Sequence, residues 1–522
     1  MRIVEGKEVR TIDLLAKERF RMPGMVLMEN AALRVVDYLT GHLEACGRRT
    51  AILAGKGNNG GDALAVFRHM FNMGADVVLV LSCLEGEYLG DAKTQWQILE
   101  KMDIPRDLFV TYHEPERARR VIASADILVD GVFGTGFHGS MKDYPLQLMH
   151  WYNESSAVKV AVDIPSGLDS NTGGGDTVME ADVTVTFGVP KTGLYLDPLK
   201  RSGQIFVGDI SIPRKIWEDF SQEFILTDRL LVRDLLGEKP ADIHKGDQGK
   251  LLIAGGSPGL TGAVVLAAEA AVRAGAGLVT VFVPASLNDI MEKKLTEPMS
   301  YPAAHHGGFL TEESLPELLQ EAAGRDAVVL GPGMGRTPES RGLVEKFLAS
   351  YEGTTVLDAD GLYHLADSQV PVQPAGTLII TPHSGEAARL LGLSAGEIDR
   401  DRVWAVRELA GRYGAVAVLK GSRTLISDGT RVGINSTGNP GLATGGSGDV
   451  LAGILGALAA RGIPAFGAAQ AAVFLHGLAG DLAARELSTD FMKAGDLTGY
   501  LNGAYREVEE SRPPVGLLYR IC

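Results

Sequence analysis

One repeating pattern narrows the folds open to this chain. Short apolar β-rich runs end in glycine or aspartate, and segments of helical character separate them. In the first half the runs are "TAILAG" (50–55), "DVVLVLS" (76–82), "DILVDGVFG" (126–134), "VKVAVDIPSG" (158–167) and "DVTVTFG" (182–188). In the second they are "KLLIAGG" (250–256), "LVTVFVP" (278–284), "AVVLGPG" (327–333), "TTVLDAD" (354–360), "TLIITPH" (377–383) and "AVAVLKG" (415–421). Strands spaced by helices pair in parallel through right-handed crossovers. Runs without polar alternation belong to sheets covered on both faces. The expected fold class is α/β.

The 522 residues are enough for two or three domains. The charged, irregular stretch 211–228 interrupts the rhythm, which sets domains at 1–224 and 225–515. The halves share no motif at a fixed period, so the chain reads as a fusion. "RTLISDGTRVGIN" (423–435) reads as a hairpin around Asp428-Gly429. The net charge of −15 excludes general nucleic-acid binding and an anionic membrane surface. Cys46, Cys83 and Cys522 have neither metal spacing nor disulfide parity. The N-terminal stretch lacks an apolar signal region, and 263–283 carries Glu269 and Arg273, so no span is expected. The expectation is a soluble cytoplasmic protein, with apolar helices such as 450–460 favouring a homo-oligomer.

The polar residues gather at strand ends. "GKGNNGGDA" (55–63) follows one strand and opens a helix, Asp130 ends another, and Asp163 ends a third, before "IPSG". In an open α/β sheet such loops converge beyond the carboxyl ends of the strands. "GNNGG" offers backbone N–H groups to a phosphate. The run reads as a departure from the ordinary dinucleotide fingerprint, which counts against hydride transfer. Asn59, Asp130 and Ser166 are hard oxygen ligands suited to an alkali or alkaline-earth ion. Asp163 is placed to act as a general acid or base. One aspartate at a strand end is ordinarily a turn or a cap, and His138 reads as a surface residue; three converging loops favour a site.

The second cluster is "STGNPGLATGGSGDVLAG" (436–453), five glycines before Asp449 and then an apolar helix. A helix N-terminus after bare backbone suits an anion, whereas an N-cap would need only the aspartate. G-x-G-D after a hairpin resembles the ribokinase-type superfamily, in which the glycines hold the transferring phosphoryl group and the aspartate deprotonates the acceptor. "KGSRT" (420–424) supplies two cations, and "GPGMG" (331–335) is a second bare loop. Asp358 and Asp360 read equally as Mg²⁺ ligands or turn residues. His383 alone would be a satisfied strand-end histidine.

Taken in order, the motifs resemble the bifunctional NAD(P)H-hydrate repair enzymes from about residue 5 to 505. The first half carries "LMENAA" (27–32), "GNNGGD" (57–62), "DGVFGTGFHG" (130–139), "VDIPSGLDS" (162–170) and "TFGVPKTG" (186–193). The second carries "KGDQGKLLIAGGSPGLTGA" (245–263), "GPGMGR" (331–336), "LDADGL" (357–362), "TPHSGE" (381–386), "KGSRT" and "GNPGLATGGSGDVLAG" (438–453). The resemblance implies an N-terminal Rossmann-like αβα epimerase domain and a C-terminal ribokinase-like αβα dehydratase domain. The substrates implied are NADH hydrate and NADPH hydrate in R and S forms, with ADP spent by the dehydratase. It makes Asp163 the epimerase acid–base and gives K⁺ to Asn59, Asp130 and Ser166. It gives the hydrated cofactor to Asn58, Asn59, Gly60, Gly61 and Asp62, and to Gly134, Thr135, Gly136, Phe137, His138, Gly139 and Ser140. ADP, with Mg²⁺, falls to Lys420, Gly421, Ser422, Arg423 and Thr424, and to Asn439, Pro440, Gly441, Leu442, Ala443, Thr444, Gly445, Gly446, Ser447 and Gly448. Ala263, Gly335, His383 and the catalytic Asp449 face the hydrated nicotinamide nucleotide.

Two positions depart from the family pattern: Ala63 stands where glycine is usual, and Ser384 where proline is common. The competing expectations are a small-molecule kinase with an accessory domain and a nucleotide sensor without catalysis.

Overall fold

The apolar runs become the strands of two parallel sheets, each with helices between its strands. The computed structural model describes residues 1–219, 223–238, 240, 242, 244–368, 372–513 and 516–520. The chain divides into two compact units, Arg2–Gln222 with Pro514–Ile521, and Glu223–Pro513. The expected domain end at 515, like Cys522, lies outside the described residues.

In the first unit the sheet order is Leu518–Arg520, Gln204–Gly208, Val183–Phe187, Val158–Val162, Ile127–Gly131, Thr50–Ala54, Val77–Leu81 and Phe109–Val110. All neighbours are parallel except Leu518–Arg520, which runs antiparallel to Gln204–Gly208. Leu518–Arg520, beyond the expected second domain, thus pairs into the first sheet. Thr50–Ala54, Val77–Leu81 and Ile127–Gly131 are buried at every position, as coverage of both faces requires. The connections leave in opposite directions between Thr50–Ala54 and Ile127–Gly131, and this switch point is where a crevice opens in a doubly wound sheet.

In the second unit the order is Phe224–Thr227, Val432–Asn435, Leu425–Ser427, Ala415–Leu419, Leu378–Ile380, Thr354–Leu357, Ala327–Leu330, Lys250–Ala254, Leu278–Pro284 and Met299–Ala303. Only Leu425–Ser427 runs against its neighbours. Its turn is built on Asp428, which accepts hydrogen bonds from the backbone of Thr430 and Arg431, with Gly429 at φ 96°. The stretch 211–228 is more regular than expected, because Arg214–Asp219 forms a 3₁₀ helix and Phe224–Thr227 a strand.

Helix Ser447–Ala460 sits at the centre of the second core. Gly453 lets it touch helix Thr261–Arg273, since a Cβ there would fall 2.1 Å from the Ala267 carbonyl oxygen. This contact fixes the helix whose first turn carries Asp449. Among the described residues no helix is long and apolar enough to cross a membrane.

Candidate active sites

The first site opens at the switch point of the first sheet. Helix Asn58–Asn72 begins there with Gly57 at its N-cap and no side-chain cap. A cavity of about 800 Å³ lies beyond it. Asn58, Asn59 and Asp62 line one wall, residues 133–138 another, and Asp163 a third. Other expected residues act from behind. Gly60 is required by close approach, since a Cβ would sit 1.6 Å from the Gly55 carbonyl oxygen, and Gly61 packs under Met28. Gly139 and Ser140 lie off the wall on the exposed end of their loop. One expectation is corrected: Gly55, Gly57 and Gly60 do stand at the dinucleotide spacing G-x-G-x-x-G. The acidic ribose contact of that fingerprint is what is missing, because strand Val77–Leu81 runs into Ser82-Cys83-Leu84. Ala63 faces away from the cavity, its methyl packed against Gly131.

Asp163 holds a φ of 66°, a conformation costly for any residue but glycine and one that clusters at functional sites. One carboxylate oxygen, Oδ1, receives every donor. These are the buried ammonium of Lys191, the Thr186 hydroxyl at 3.2 Å and the Phe187 N–H at 3.2 Å. Among the described residues Oδ2 accepts nothing and remains for a ligand. Lys191 also donates to Thr186 Oγ1 at 3.0 Å and Phe187 O at 3.4 Å. Sequence reasoning passed over Lys191 although it stands inside "TFGVPKTG". Two further carboxyls line the cavity. Asp62 is pushed well above the carboxylate range by burial and by the charges of Asp163 and Asp13, against the pull of Lys191. Burial also raises Asp13, with Lys191 and Lys17 opposing and Asp163 adding.

Asn59, Asp130 and Ser166 meet around the backbone of Phe133. Asn59 Nδ2 donates to Phe133 O at 2.9 Å, and Ser166 Oγ accepts from Phe133 N at 2.7 Å. Asp130 takes the Ser166 hydroxyl at 2.6 Å and the Ser166 N–H at 2.7 Å. Burial pushes Asp130 up to about 6 despite those donors.

The second site forms where strands Lys250–Ala254, Ala327–Leu330, Thr354–Leu357, Leu378–Ile380 and Ala415–Leu419 end. Helix Ser447–Ala460 starts after Gly446, at φ 92°, and no side chain caps it. Asp449 is therefore not the N-cap; it is the third residue of the helix, within its first turn. Burial first, then Asp358 and Asp360, raise Asp449 to about 7 while Lys420 opposes. Lys420 Nζ lies 3.0 Å from Asp358 Oδ1 and 3.8 Å from Glu386 Oε2. Burial pushes the Lys420 ammonium down, but Asp358 and Glu386 outweigh it and its pKa is raised. The Thr381 hydroxyl donates to Asp358 at 2.6 Å.

The remaining residues have definite places. Asp360 receives the Gly335 N–H at 2.9 Å and Arg336 Nε at 2.8 Å, so it shapes the 331–336 loop. Gly335 (φ 84°) faces Phe309, and Ala263 borders Gly333. His383 caps helix Ser384–Leu391, its ring accepting the Gly385 N–H at 3.0 Å, and the Glu386 carboxylate accepts the His383 N–H at 2.8 Å. Ser384 bonds Asp399 at 2.6 Å.

The glycine loop is pinned from one helix, Ala465–Leu487. Asp481 accepts the Gly438 N–H at 2.9 Å and Asn439 Nδ2 at 3.0 Å, and His476 meets Ser447 at 3.1 Å. Arg402 holds the "KGSRT" loop by donating to the Ser422 carbonyl. None of these three supports was read from the sequence. Gly441 is packed, since a Cβ would fall 2.3 Å from Met492 Sδ, whereas a Cβ on Gly445 would meet nothing within 4 Å. Gly445→Ala is expected to leave the melting temperature unchanged while weakening nucleotide binding about tenfold. Gly441→Ala is expected to destabilise by about 1–3 kcal/mol. Calorimetric titration with ADP beside thermal melts separates the two glycines, and a Gly445→Ala chain with unaltered affinity would show that bare backbone unused.

Comparison with known proteins agrees with both halves. A family described as NAD(P)H-hydrate dehydratase matches residues 251–502, and one described as YjeF-related protein N-terminus matches 24–193. The bifunctional NAD(P)H-hydrate repair enzyme Nnr of Moorella thermoacetica is 42% identical over 98% of this chain and 98% of its own. That of Thermofilum pendens is 34% identical over 98% of this chain and 97% of its own. Among solved structures, the ADP/ATP-dependent NAD(P)H-hydrate dehydratase of Bacillus subtilis, co-crystallised with ATP/Mg²⁺, is 28% identical at a TM-score of 0.48, covering 55% of this chain and 100% of its own. With relatives matching end to end across both units, the chain belongs to the bifunctional NAD(P)H-hydrate repair enzymes.

Proposed function

We propose that the two sites work in series on damaged nicotinamide cofactors. The first interconverts the R and S hydrates of NADH and NADPH. The second dehydrates the S form and spends ADP, giving AMP and phosphate. The observation that carries this reading is the end-to-end match to bifunctional relatives, with a cavity whose lining includes Asp62, Asp163 and Lys191 in one unit and a glycine loop with Asp449 in the other.

In the second site hydroxide is the problem, since it leaves poorly, and phosphate is the remedy. Asp449 takes the proton of the C6 hydroxyl as that oxygen attacks the β-phosphorus of ADP and AMP departs. The N1 lone pair then expels phosphate, and loss of a C5 proton restores the dihydronicotinamide. Lys420 and the uncapped first turn of helix Ser447–Ala460 offer fixed positive charge to the transferring group. In the first site, Oδ2 of Asp163 is the free basic atom, and the 58–62 and 133–138 loops hold the dinucleotide.

The oxygen set of Asn59, Asp130, Ser166 and the Phe133 carbonyl fits a monovalent cation such as K⁺, having a single carboxylate among neutral oxygens. Such an ion would brace the 131–140 loop. Mg²⁺ fits less directly. Asp360 is engaged by Gly335 and Arg336, and Asp358 by Lys420 and Thr381, so the nucleotide phosphates would have to supply most of its ligands.

The test uses purified protein with mixed R and S NADH hydrate, K⁺, Mg²⁺ and either ADP or ATP, followed at the absorbance of reduced nicotinamide. Recovery of both forms supports the proposal, and the better nucleotide identifies the co-substrate. No recovery removes the repair reading; nucleotide consumption driven by an added alcohol would replace it with a kinase.

A further inference from the structure

We propose that Asp13 is the second proton-transfer group of the epimerase, working opposite Asp163. The assignment rests on the epimerase reading of the first cavity. Asp13 lies on helix Gly6–Phe20, outside the loops that follow the strands, and it lines the same cavity as Asp62, Asp163 and Lys191.

The charges around that cavity are unequal. Lys191 is the one buried cation among these groups, and its ammonium is hydrogen-bonded to Asp163, Thr186 and Phe187. Among the described residues neither Asp13 nor Asp62 accepts a hydrogen bond or forms an ion pair. These three carboxyls have one buried ammonium among them, while Lys7, Arg10, Lys17 and Lys56 line the cavity as exposed cations and Asp91 as a further carboxyl, and like charges at one site cannot all ionise. Lys17, on the same helix as Asp13, also lines the cavity, half exposed and 3.9 Å from Asp91. Asp13 therefore feels Lys191, Asp163 and Lys17, and Asp62 from helix Asn58–Asn72. It can exchange its proton with solvent. Asp62 is raised well above the ordinary carboxylate value by burial and by the charges of Asp163 and Asp13, which favours its neutral form.

Epimerisation at C6 has need of two such groups. Asp163 takes the proton of the C6 hydroxyl. The C6–N1 bond breaks with its electron pair going to N1, and C6 becomes an aldehyde carbon. Asp13 delivers a proton to N1. Rotation about C5–C6 presents the other face, N1 adds back, Asp13 recovers its proton, and Asp163 returns the first one to oxygen. Nothing is consumed. Loss of hydroxide instead would leave an iminium ion that sheds a C5 proton and regenerates the cofactor without ADP.

The experiment uses the full chain with R-form NADH hydrate and no nucleotide, following the S form by chromatography. Asp13→Asn is expected to lower kcat by about 10²–10³-fold with KM within about threefold, and to abolish the alkaline limb of the pH–rate profile. Asp13→Glu is expected to recover part of the rate with that limb displaced. Full activity of Asp13→Asn, or a rise in KM with kcat intact, overturns the assignment. If Asp13→Asn does not fold, Asp13→Glu decides: a displaced limb supports the role and an unmoved one overturns it. A wild-type chain that does not interconvert the forms removes the epimerase reading and this assignment together, whereas an active wild type with an indifferent Asp13 removes the assignment alone.

Discussion

Asp163→Asn is expected to cut R-to-S conversion by about 10²–10⁴-fold while ADP-driven dehydration of the S form changes less than about twofold. Asparagine keeps the size and the contacts of Oδ1 but offers no base at the position of Oδ2. The substitution also leaves the Lys191 ammonium buried without its partner. Removing one member of a buried pair ordinarily costs about 3–5 kcal/mol. Here the loss should be nearer about 1–3 kcal/mol, because Asp62 and Asp13 can ionise in its place once Asp163 no longer opposes them. Adding Lys191→Met to Asp163→Asn should return most of the stability and none of the epimerase activity. Measuring thermal melts beside rates for the two chains separates charge balance from chemistry. Recovery of epimerase activity in the double variant would sink the acid–base role of Asp163.

The same pair shows what sequence can and cannot deliver. The strands were legible because burial on both faces removes polar residues from them, so "TAILA" and "AVAVL" admit little else. Asp163 was legible too, as a carboxylate at the end of such a strand. Lys191 was not, because lysines are ordinarily solvated and no spacing says that its ammonium lies buried 28 positions from its partner. Asp13 looked like one more polar residue on a charged helix, and only the fold turns it towards the cavity. Asp481, His476 and Arg402 support loops that lie 20 to 43 positions away, by contacts that no local pattern encodes. Two short strands escaped for a different reason. Phe224–Thr227 is four residues set between Glu223 and Asp228, and Leu518–Arg520 is three residues, too short for the apolar run that marks a central strand. The asymmetry is physical: local burial writes itself into composition, whereas a long-range contact leaves its two ends looking ordinary.

Asp449→Asn should have the largest effect in the second unit, and in two directions at once. Dehydration should fall by about 10²–10⁴-fold, since the ring hydroxyl loses its base. Wild-type kcat/KM should rise with pH through an acid limb near 7, the value to which burial, Asp358 and Asp360 lift this carboxyl against Lys420. Below that pH Asp449 holds its proton and cannot accept another. The variant's residual rate should show no such limb. Stability moves the other way. A carboxyl whose folded-state pKa is raised from 3.8 to about 7 binds its proton more tightly when folded. Its contribution to stability is therefore best at low pH and declines as pH climbs from about 4 to 7. Asparagine escapes that decline. Because Asp449 is only partly buried and its shift is shared with Asp358 and Lys420, the gain is on the order of 1–2 kcal/mol above pH 7. It should vanish near pH 4. Thermal melts of both chains at pH 4.5 and 8, about 2–6 °C apart at the upper value and coincident at the lower, would show that strain is stored for chemistry. If the variant stays active, the base lies elsewhere. If it is inactive without any gain at pH 8, the raised carboxyl is not the cost that catalysis imposes on this fold.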